Sequence, residues 1–385
     1  MKILFVRTTN KISGSETYNV NLLGGLEKDV DNLELVFLTN FPALITRTTN
    51  QGISTQKINF HFNEIGTKKD LLRILYAIPL FYCLYAKSII ETQRGRKFDV
   101  VCLQSMTEKV FLTGWLKVFG YKVVWIEHGP LFISQVSQII KSLYVIMSFF
   151  VDGIIAVSKD TKKDLIRGGV KKEKITNLYI GIDTKQFFSV KEISRRKLKA
   201  KLGINPKALV IGFLGSIDSK KGIEHFILIA NNLCKTDYEF HFMVIGDGPK
   251  FAWVKDSVKK IKTAFTFTGF IQDPVRYLQA VDILLFPTRH QEGISIALLE
   301  AQAMGIPVVA TDMGGNSEII SHGKDGFLYN LNDRGLMESS LLQLAIDKSL
   351  RTRIGISAKK NVEMRFNIKK QSVLFYHYFK DICGR

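Results

Sequence analysis

Apolar runs of four to seven residues recur through the first half of the chain, as KILFV, LELVFL, FDVVCL, KVVWIEH and DGIIAVS, each followed by a polar turn and a longer stretch of helical periodicity. Strands that are apolar throughout, alternating with helices, predict a parallel sheet covered on both faces. Beyond residue 207 the rhythm restarts with ALVIGFLG, EFHFMVIGDG, AFTFTGF, DILLFPT and IPVVAT, predicting a second doubly wound sheet. The sequence shows no low-complexity tract and no internal repeat of roughly 20 to 50 residues, so the two sheets are similar in architecture and not in sequence. The expected fold class is α/β, with two Rossmann-like parallel-sheet domains facing a central cleft. The expected layout is an N-terminal domain over 1–183, a connector over 184–207, a second domain over 208–365, and a helix over 366–385 that packs back on the N-terminal domain.

With 385 residues, 46% of them hydrophobic, the chain has the material for two cores. Its net charge of +19 is uneven. Counting Lys and Arg against Asp and Glu gives 24 and 16 (+8) for residues 1–183, 8 and 1 (+7) for 184–207, and 22 and 18 (+4) for 208–385. The basic stretch KQFFSVKEISRRKLKAKLGINPK reads either as a solvated linker face or as an attractor of anionic lipid or phosphate-rich partners. Nucleic acid is not an expected partner, because no zinc finger, helix-turn-helix signature or aromatic-studded strand accompanies the charge.

Cys83, Cys102, Cys234 and Cys383 stand far apart, with no CxxC pair and no histidine at ligand spacing. Neither a disulfide framework nor a zinc site is expected, and free thiols suit a reducing cytoplasm. The N-terminal MKILFV reaches polar residues too soon for a signal peptide and reads as a first strand. ILYAIPLFYCLYA (74–86) is shorter than the roughly 20 residues a bilayer crossing needs, so no transmembrane helix is expected. It lies within LLRILYAIPLFYCLYAKSII, which, like FISQVSQIIKSLYVIMSFFV, mixes aromatics with scattered Lys and Arg. Such patterns read as core helices of the first domain or as helices resting on an anionic membrane surface.

In open parallel sheets ligands settle at the carboxyl ends of strands, so the residues after each strand are the candidates for chemistry. After the first strand, Gly14 precedes a helical pattern; a small residue there admits a phosphate to the backbone, or simply makes an ordinary turn. His128 ends KVVWIEH before a Gly-Pro turn that aims its ring into the loops, in either a structural or a catalytic role. Gly215 ends ALVIGFLG, and Lys220, Lys221 and Gly222 follow at a helix start, where a lysine is unfavourable unless an anion sits nearby. VIGDGP lacks the third glycine of a dinucleotide fingerprint. In QEGISIALLEAQAMGIPVV (291–309), Glu292 falls in a strand-exit loop and Glu300 on a helix capped by Ser295 and stopped by Gly305. Both carboxylates can face one cleft and accept from paired sugar hydroxyls. Alternatively, Glu292 complements the helix dipole and Glu300 is solvated.

Taken together these segments resemble the family 4 glycosyltransferases, retaining enzymes of the GT-B fold that use nucleotide sugars. The likeness is strongest over 276–327, which carries an E-x7-E pair at Glu292 and Glu300, and extends to DGIIAVSKDTKKDLI, IGID, Lys221-Gly222, VIGDGP and FTFTGF. The resemblance implies that Glu300 binds the ribose hydroxyls, that Glu292 with the amides of Gly293, Ile294 and Ser295 holds the donor sugar, and that Lys221 holds the diphosphate. Gly14 would let a loop close on that diphosphate, His128 would contact the transferred sugar, and the backbone at Phe270 and Ile271 would read the base. His128, Lys221 and Glu292 are thus the expected catalytic residues, and Gly215 and Ser216 join the donor loop. Four positions depart from the pattern: Ser216 for an Arg, Ser15 for a Gly, Ile180 for an Asn and Ser295 for a Pro.

The function so implied is hexosyl or N-acetylhexosaminyl transfer from a nucleotide-diphosphate sugar to a glycan or polyprenyl-linked acceptor in bacterial surface polysaccharide assembly. No cofactor is expected and a metal is not obligatory, since lysine replaces the cation's role. The chain is expected in the cytoplasm, peripheral on the inner face of the membrane. Alternatives are a catalytically weak nucleotide-sugar-binding protein and an epimerase of the same fold.

Overall fold

The computed structural model describes residues 1–9, 14–30, 32–59, 65, 67–93, 95–188, 191–261 and 265–384. Residues 10–13 of the loop after the first strand lie outside the described residues. The chain divides into two compact units, Met1–Gly181 with Ile368–Arg385, and Ile182–Asn367.

In the N-terminal unit seven strands, β1 (Lys2–Arg7), β2 (Glu34–Thr39), β3 (Ser54–Lys57), β4 (Val100–Leu103), β5 (Lys122–Glu127), β6 (Gly153–Ala156) and β7 (Ile175–Asn177), form one sheet ordered β3-β2-β1-β4-β5-β6-β7. All its pairings are parallel. The strand order reverses between β1 and β4, the place where an open α/β sheet leaves a crevice at its carboxyl edge. The strands read as apolar runs because both faces are covered: Ile3, Leu4, Phe5 and Val6 are all buried. The polar STQK of β3 and the short ITN of β7 have no such pattern. They are the edge strands, where one flank faces no partner and polar residues are tolerated.

The apolar stretch 74–86 belongs to a longer helix, Lys68–Gln93, of 26 residues. By length and composition alone this helix could cross a membrane, but its inner stripe of Phe81, Tyr85 and Ile89 is fully buried in the core of the unit. The second candidate membrane pattern forms the helix Gln138–Ser148 and likewise buries Ile140 and Tyr144. Tyr144 packs on Trp125 with ring centroids 4.6 Å apart. The C-terminal helix, Ile368–Ile382, lies against the helix Gly14–Asp29, with Phe379 edge-on to Phe5 of β1 at 5.9 Å.

In the C-terminal unit β8 (Leu209–Leu214), β9 (Phe240–Ile245), β10 (Phe265–Phe267), β11 (Ile283–Phe286), β12 (Val308–Thr311) and β13 (Phe327–Tyr329) form a sheet ordered β10-β9-β8-β11-β12-β13. It too is parallel throughout, with its order reversing between β8 and β11. The expected connector is part of this unit: the unit begins at Ile182, and the basic stretch holds the helix Glu192–Lys201. Lys199 is buried there, its ammonium donating to Asp282 Oδ2 at 2.6 Å and to the Ala208 carbonyl at 2.9 Å, while Arg195 reaches Asp282 Oδ1 at 3.1 Å. A lysine is tolerated inside because its methylene stem is apolar and its charge is paired.

VIGDGP has a packing explanation. Gly246 has φ of +138°, and a Cβ on it would lie 2.0 Å from the Gly215 carbonyl oxygen, so the β8 and β9 exits approach backbone to backbone. Gly246→Ala is therefore expected to cost at least about 2 kcal/mol, combining a disfavoured φ with a main-chain clash. Urea unfolding checks this; an unchanged midpoint would contradict it.

Candidate active site

Two groups of candidate residues sit at the carboxyl edges of the two sheets. In the C-terminal unit they are built on the exits of β8 and β11. The β8 exit runs through Gly215 and Ser216 to Lys221, with the Ser216 hydroxyl donating to Asp218 Oδ2 at 2.8 Å and the Lys221 N–H donating to Asp218 Oδ1 at 2.9 Å. Asp218 thus folds the loop so that Lys221 turns toward the β11 exit. There the Lys221 ammonium pairs with the Glu292 carboxylate and lies 5.5 Å from the centre of the Phe286 ring. The anion that a lysine at this helix start requires is, in the protein itself, Glu292.

The β11 exit loop is held in turn by its neighbours. Thr288 Oγ1 donates to the Lys220 carbonyl at 3.1 Å, Arg289 N–H donates to the same oxygen at 2.8 Å, and Thr311 Oγ1 donates to the Thr288 carbonyl at 2.6 Å. Gly315 N–H donates to the Glu292 carbonyl at 2.9 Å, and a Cβ on Gly315 would fall 1.7 Å from the Gly293 oxygen. Only a glycine lets that strand-exit loop lie so close. Gly293, Ile294 and Ser295 lead from the loop into the helix Ile296–Ala303. Ser295 occupies the N-cap position, but its hydroxyl makes no capping bond, so the expected side-chain cap is not formed and the backbone alone starts the helix.

Glu300 is the most unusual group. It is only 9% exposed, so the alternative of a solvated surface glutamate does not hold. Among the described residues nothing donates a hydrogen bond to its carboxyl group. Burial, and secondarily the negative charge of Asp273, push it up to about 8. An ionisable group that is buried without a protein partner and carries a strongly displaced pKa marks a functional site. Phe270 and Ile271 occupy the turn after β10, where Phe270 is 63% exposed and the adjacent Gly269 pairs with Gly246.

In the N-terminal unit, Gly14 opens the helix Gly14–Asp29, and no atom of the described residues lies within 4 Å of where its Cβ would be. Among the described residues nothing crowds this position, which is compatible both with an ordinary turn and with a ligand close to the backbone. His128 follows β5 directly. Its ring does not project freely into the loops: it packs edge-on against Tyr18 at 4.8 Å and its Nε2 lies 2.9 Å from Gln104 Oε1. Burial, then the positive charges of Arg7 and Lys109, hold the imidazole well below its ordinary pKa, so it is neutral at pH 7.

Sequence reading did not single out Asp218, Thr288, Thr311 and Gly315 in the second unit, or Gln104 and Asn19 in the first. Polar residues directly after apolar strands were the available signal, together with the paired glycines of DMGGN; none of them is itself a reactive group.

The description "Glycosyltransferase Family 4" matches residues 12–186 and "Glycosyl transferases group 1" matches residues 194–361, so the two together span most of the chain. Among solved structures, Alr3699/HepE of Anabaena in complex with UDP-glucose superposes with a TM-score of 0.82 at 19% identity, covering 99% of this chain and 100% of that one. The fold is therefore GT-B. The chain is 29% identical to the capsular polysaccharide biosynthesis glycosyltransferase CapM of Staphylococcus aureus over 58% of its own length and 60% of CapM. It is 25% identical to the UDP-Gal:alpha-D-GlcNAc-diphosphoundecaprenol alpha-1,3-galactosyltransferase of Escherichia coli over 74% of its length and 76% of that enzyme. The chain belongs to the family 4 glycosyltransferases, and it is a glycosyltransferase of polysaccharide or glycan biosynthesis.

Proposed function

We propose that this enzyme transfers a sugar, with retention of anomeric configuration, from a nucleoside-diphosphate donor to a hydroxyl of a glycan or polyprenyl-linked acceptor. The observation that carries the donor half is Glu300, a buried carboxyl with no hydrogen-bond donor among the described residues, at the topological switch point of a parallel sheet. Two vicinal ribose hydroxyls supply the donors it lacks, and they favour its ionised form. The relative crystallised with UDP-glucose supports a nucleotide sugar, and the lipid-linked substrate in the name of the E. coli relative supports a lipid-linked acceptor.

On this reading Lys221 exchanges Glu292 for the diphosphate when donor arrives, which leaves Glu292 with the amides of Gly293, Ile294 and Ser295 to hold the sugar. The start of the helix Ile296–Ala303 adds favourable field to the developing phosphate charge. Phe270 and Ile271 border the base, and Gly215 and Ser216 the phosphates. With Ser216 tied to Asp218 where the family has an arginine, Lys220 and Lys221 are the cations left on that loop to receive the leaving group. Transfer then proceeds on the front face, the leaving phosphate helping to deprotonate the acceptor, without a covalent enzyme intermediate and without an obligatory metal. Product NMR with a panel of nucleotide sugars tests the reading: the anomeric configuration of the donor should persist in the product. Inversion, a trapped glycosyl-Glu292 that is kinetically competent, or full loss of turnover in chelator restored by manganese would contradict it.

Membrane contact is part of the same proposal. The helix Lys68–Gln93 is apolar on its outer face as well as its inner one, with Leu72 66% and Tyr76 94% exposed beside Leu75 and Leu80, and with Lys68, Lys69, Arg73 and Lys87 around them. An exposed apolar stripe with a basic margin fits the surface of an anionic bilayer, on the cytoplasmic face where a lipid-linked acceptor is presented. Co-sedimentation at low salt should show binding to anionic vesicles that a Leu72→Ser, Tyr76→Ser, Leu80→Ser variant loses. Equal sedimentation with and without anionic vesicles would remove this part.

A further inference from the structure

We propose that Gln104, itself oriented by Asn19, is a positioning residue that fixes His128 as its Nε2–H tautomer and so presents Nδ1 as a hydrogen-bond acceptor for a substrate hydroxyl. The substrate half of this inference rests on the function proposed above. The tautomer half rests on the N-terminal unit alone.

The donors and acceptors along this chain of side chains fix the orientation of each amide. Asn19, fully buried on the helix Gly14–Asp29, donates through Nδ2 to the Ser15 carbonyl at 3.0 Å, an oxygen that can only accept. Its Oδ1 therefore faces the other way, toward Gln104 Nε2 at 2.7 Å, and accepts from it. Gln104, 3% exposed at the exit of β4, is thereby set with its carbonyl oxygen toward His128 Nε2 at 2.9 Å. An amide oxygen has no proton to give, so His128 Nε2 carries the hydrogen. In a neutral imidazole the other nitrogen then holds a lone pair, and among the described residues nothing donates to Nδ1.

The chain crosses the switch point of the sheet, from the helix after β1 through the exit of β4 to the exit of β5, so three adjacent connections must be correctly placed before the ring takes its orientation. Tyr18 closes one side of the ring by its edge-on contact at 4.8 Å. Burial and the nearby charges of Arg7 and Lys109 oppose protonation, so Nδ1 keeps its lone pair at neutral pH. A nitrogen that can only accept selects a sugar offering a hydroxyl at that point and disfavours one offering a carboxylate or no polar group.

The test has two arms. Nitrogen NMR of the full-length, histidine-labelled protein reads the tautomer directly: the wild type should show His128 neutral with the proton on Nε2, whereas a proton on Nδ1, or an imidazolium at pH 7, would overturn the proposal. In the second arm, turnover is measured with a donor and its monodeoxy analogues. One analogue should be about tenfold poorer for the wild type, the scale of one lost hydrogen bond, and Gln104→Leu should erase most of that selectivity. Gln104→Glu keeps an acceptor toward Nε2 and should retain the selectivity at pH values above the titration of His128, which the new carboxylate raises. Unchanged tautomer and unchanged selectivity in Gln104→Leu would overturn it. If the wild type turns over no donor, the nucleotide-sugar reading and the substrate half fall together, while the wild-type spectrum still decides whether Gln104 sets the tautomer.

Discussion

Glu300→Gln is expected to abolish donor use while making the protein more stable. In the folded chain the carboxyl titrates near 8, against an ordinary value of 4.5. Between those values the folded state keeps a proton that the unfolded state has released. Stability therefore falls as pH rises from about 4.5 to about 8 and changes no further above it. At pH 7 the cost is on the order of 3 kcal/mol. A neutral amide of the same shape removes that cost, so the melting temperature of Glu300→Gln should exceed that of the wild type by several degrees at neutral pH, with the gap widening from pH 5 to pH 8 and closing in acid. Donor affinity should fall by about a hundredfold or more, because hydroxyls that donate to a carboxylate make stronger bonds than those to an amide. For the wild type, donor binding should tighten as pH rises toward 8, since binding favours the ionised group. Scanning calorimetry across pH and donor titration check both halves; a Glu300→Gln protein less stable than the wild type at pH 8 would contradict the burial argument.

Lys221→Ala is expected to lower kcat by about a hundredfold to a thousandfold, the scale found when one preorganised charge facing a transition-state anion is removed. Its partner makes the result diagnostic. Since Lys221 and Glu292 pair in the protein without donor, each single variant also leaves the other charge without its partner. The Lys221→Ala, Glu292→Gln double variant should therefore lose less than the product of the two single losses. Losses that multiply would mean that the two groups act independently and that the exchange of Glu292 for diphosphate does not occur. Steady-state kinetics of the four proteins, at saturating acceptor, provides the comparison.

How much of this could be read in the sequence differs from residue to residue. The central strands were legible because burial on both faces forces continuous apolar runs, as in VVCL of β4 and ILLF of β11. β3, β7 and β13 escaped because edge strands are short and less completely buried. The basic stretch 184–207 read as a linker because its charges are counted one by one; that Lys199 and Arg195 converge on Asp282, more than eighty residues later, is a tertiary fact. Glu292 and Glu300 were legible as a pair by their spacing, but the burial of Glu300 without a donor among the described residues depends on what surrounds it in three dimensions. Likewise His128 was legible as a strand-exit histidine, whereas its tautomer depends on Gln104 and Asn19, two amides that are commonplace in any sequence.

Thermal shift of the wild type and Glu300→Gln across a panel of nucleoside-diphosphate sugars tests the central claim most directly. At a hundred times its dissociation constant a true donor adds about 2.7 kcal/mol to the stability of the wild type. The result expected is a clear upward shift for one donor or a few sharing a base, and little or none for Glu300→Gln with the same compounds. No shift of the wild type with any of them, or an equal shift in both proteins, would contradict the assignment of Glu300 as the group that holds the donor.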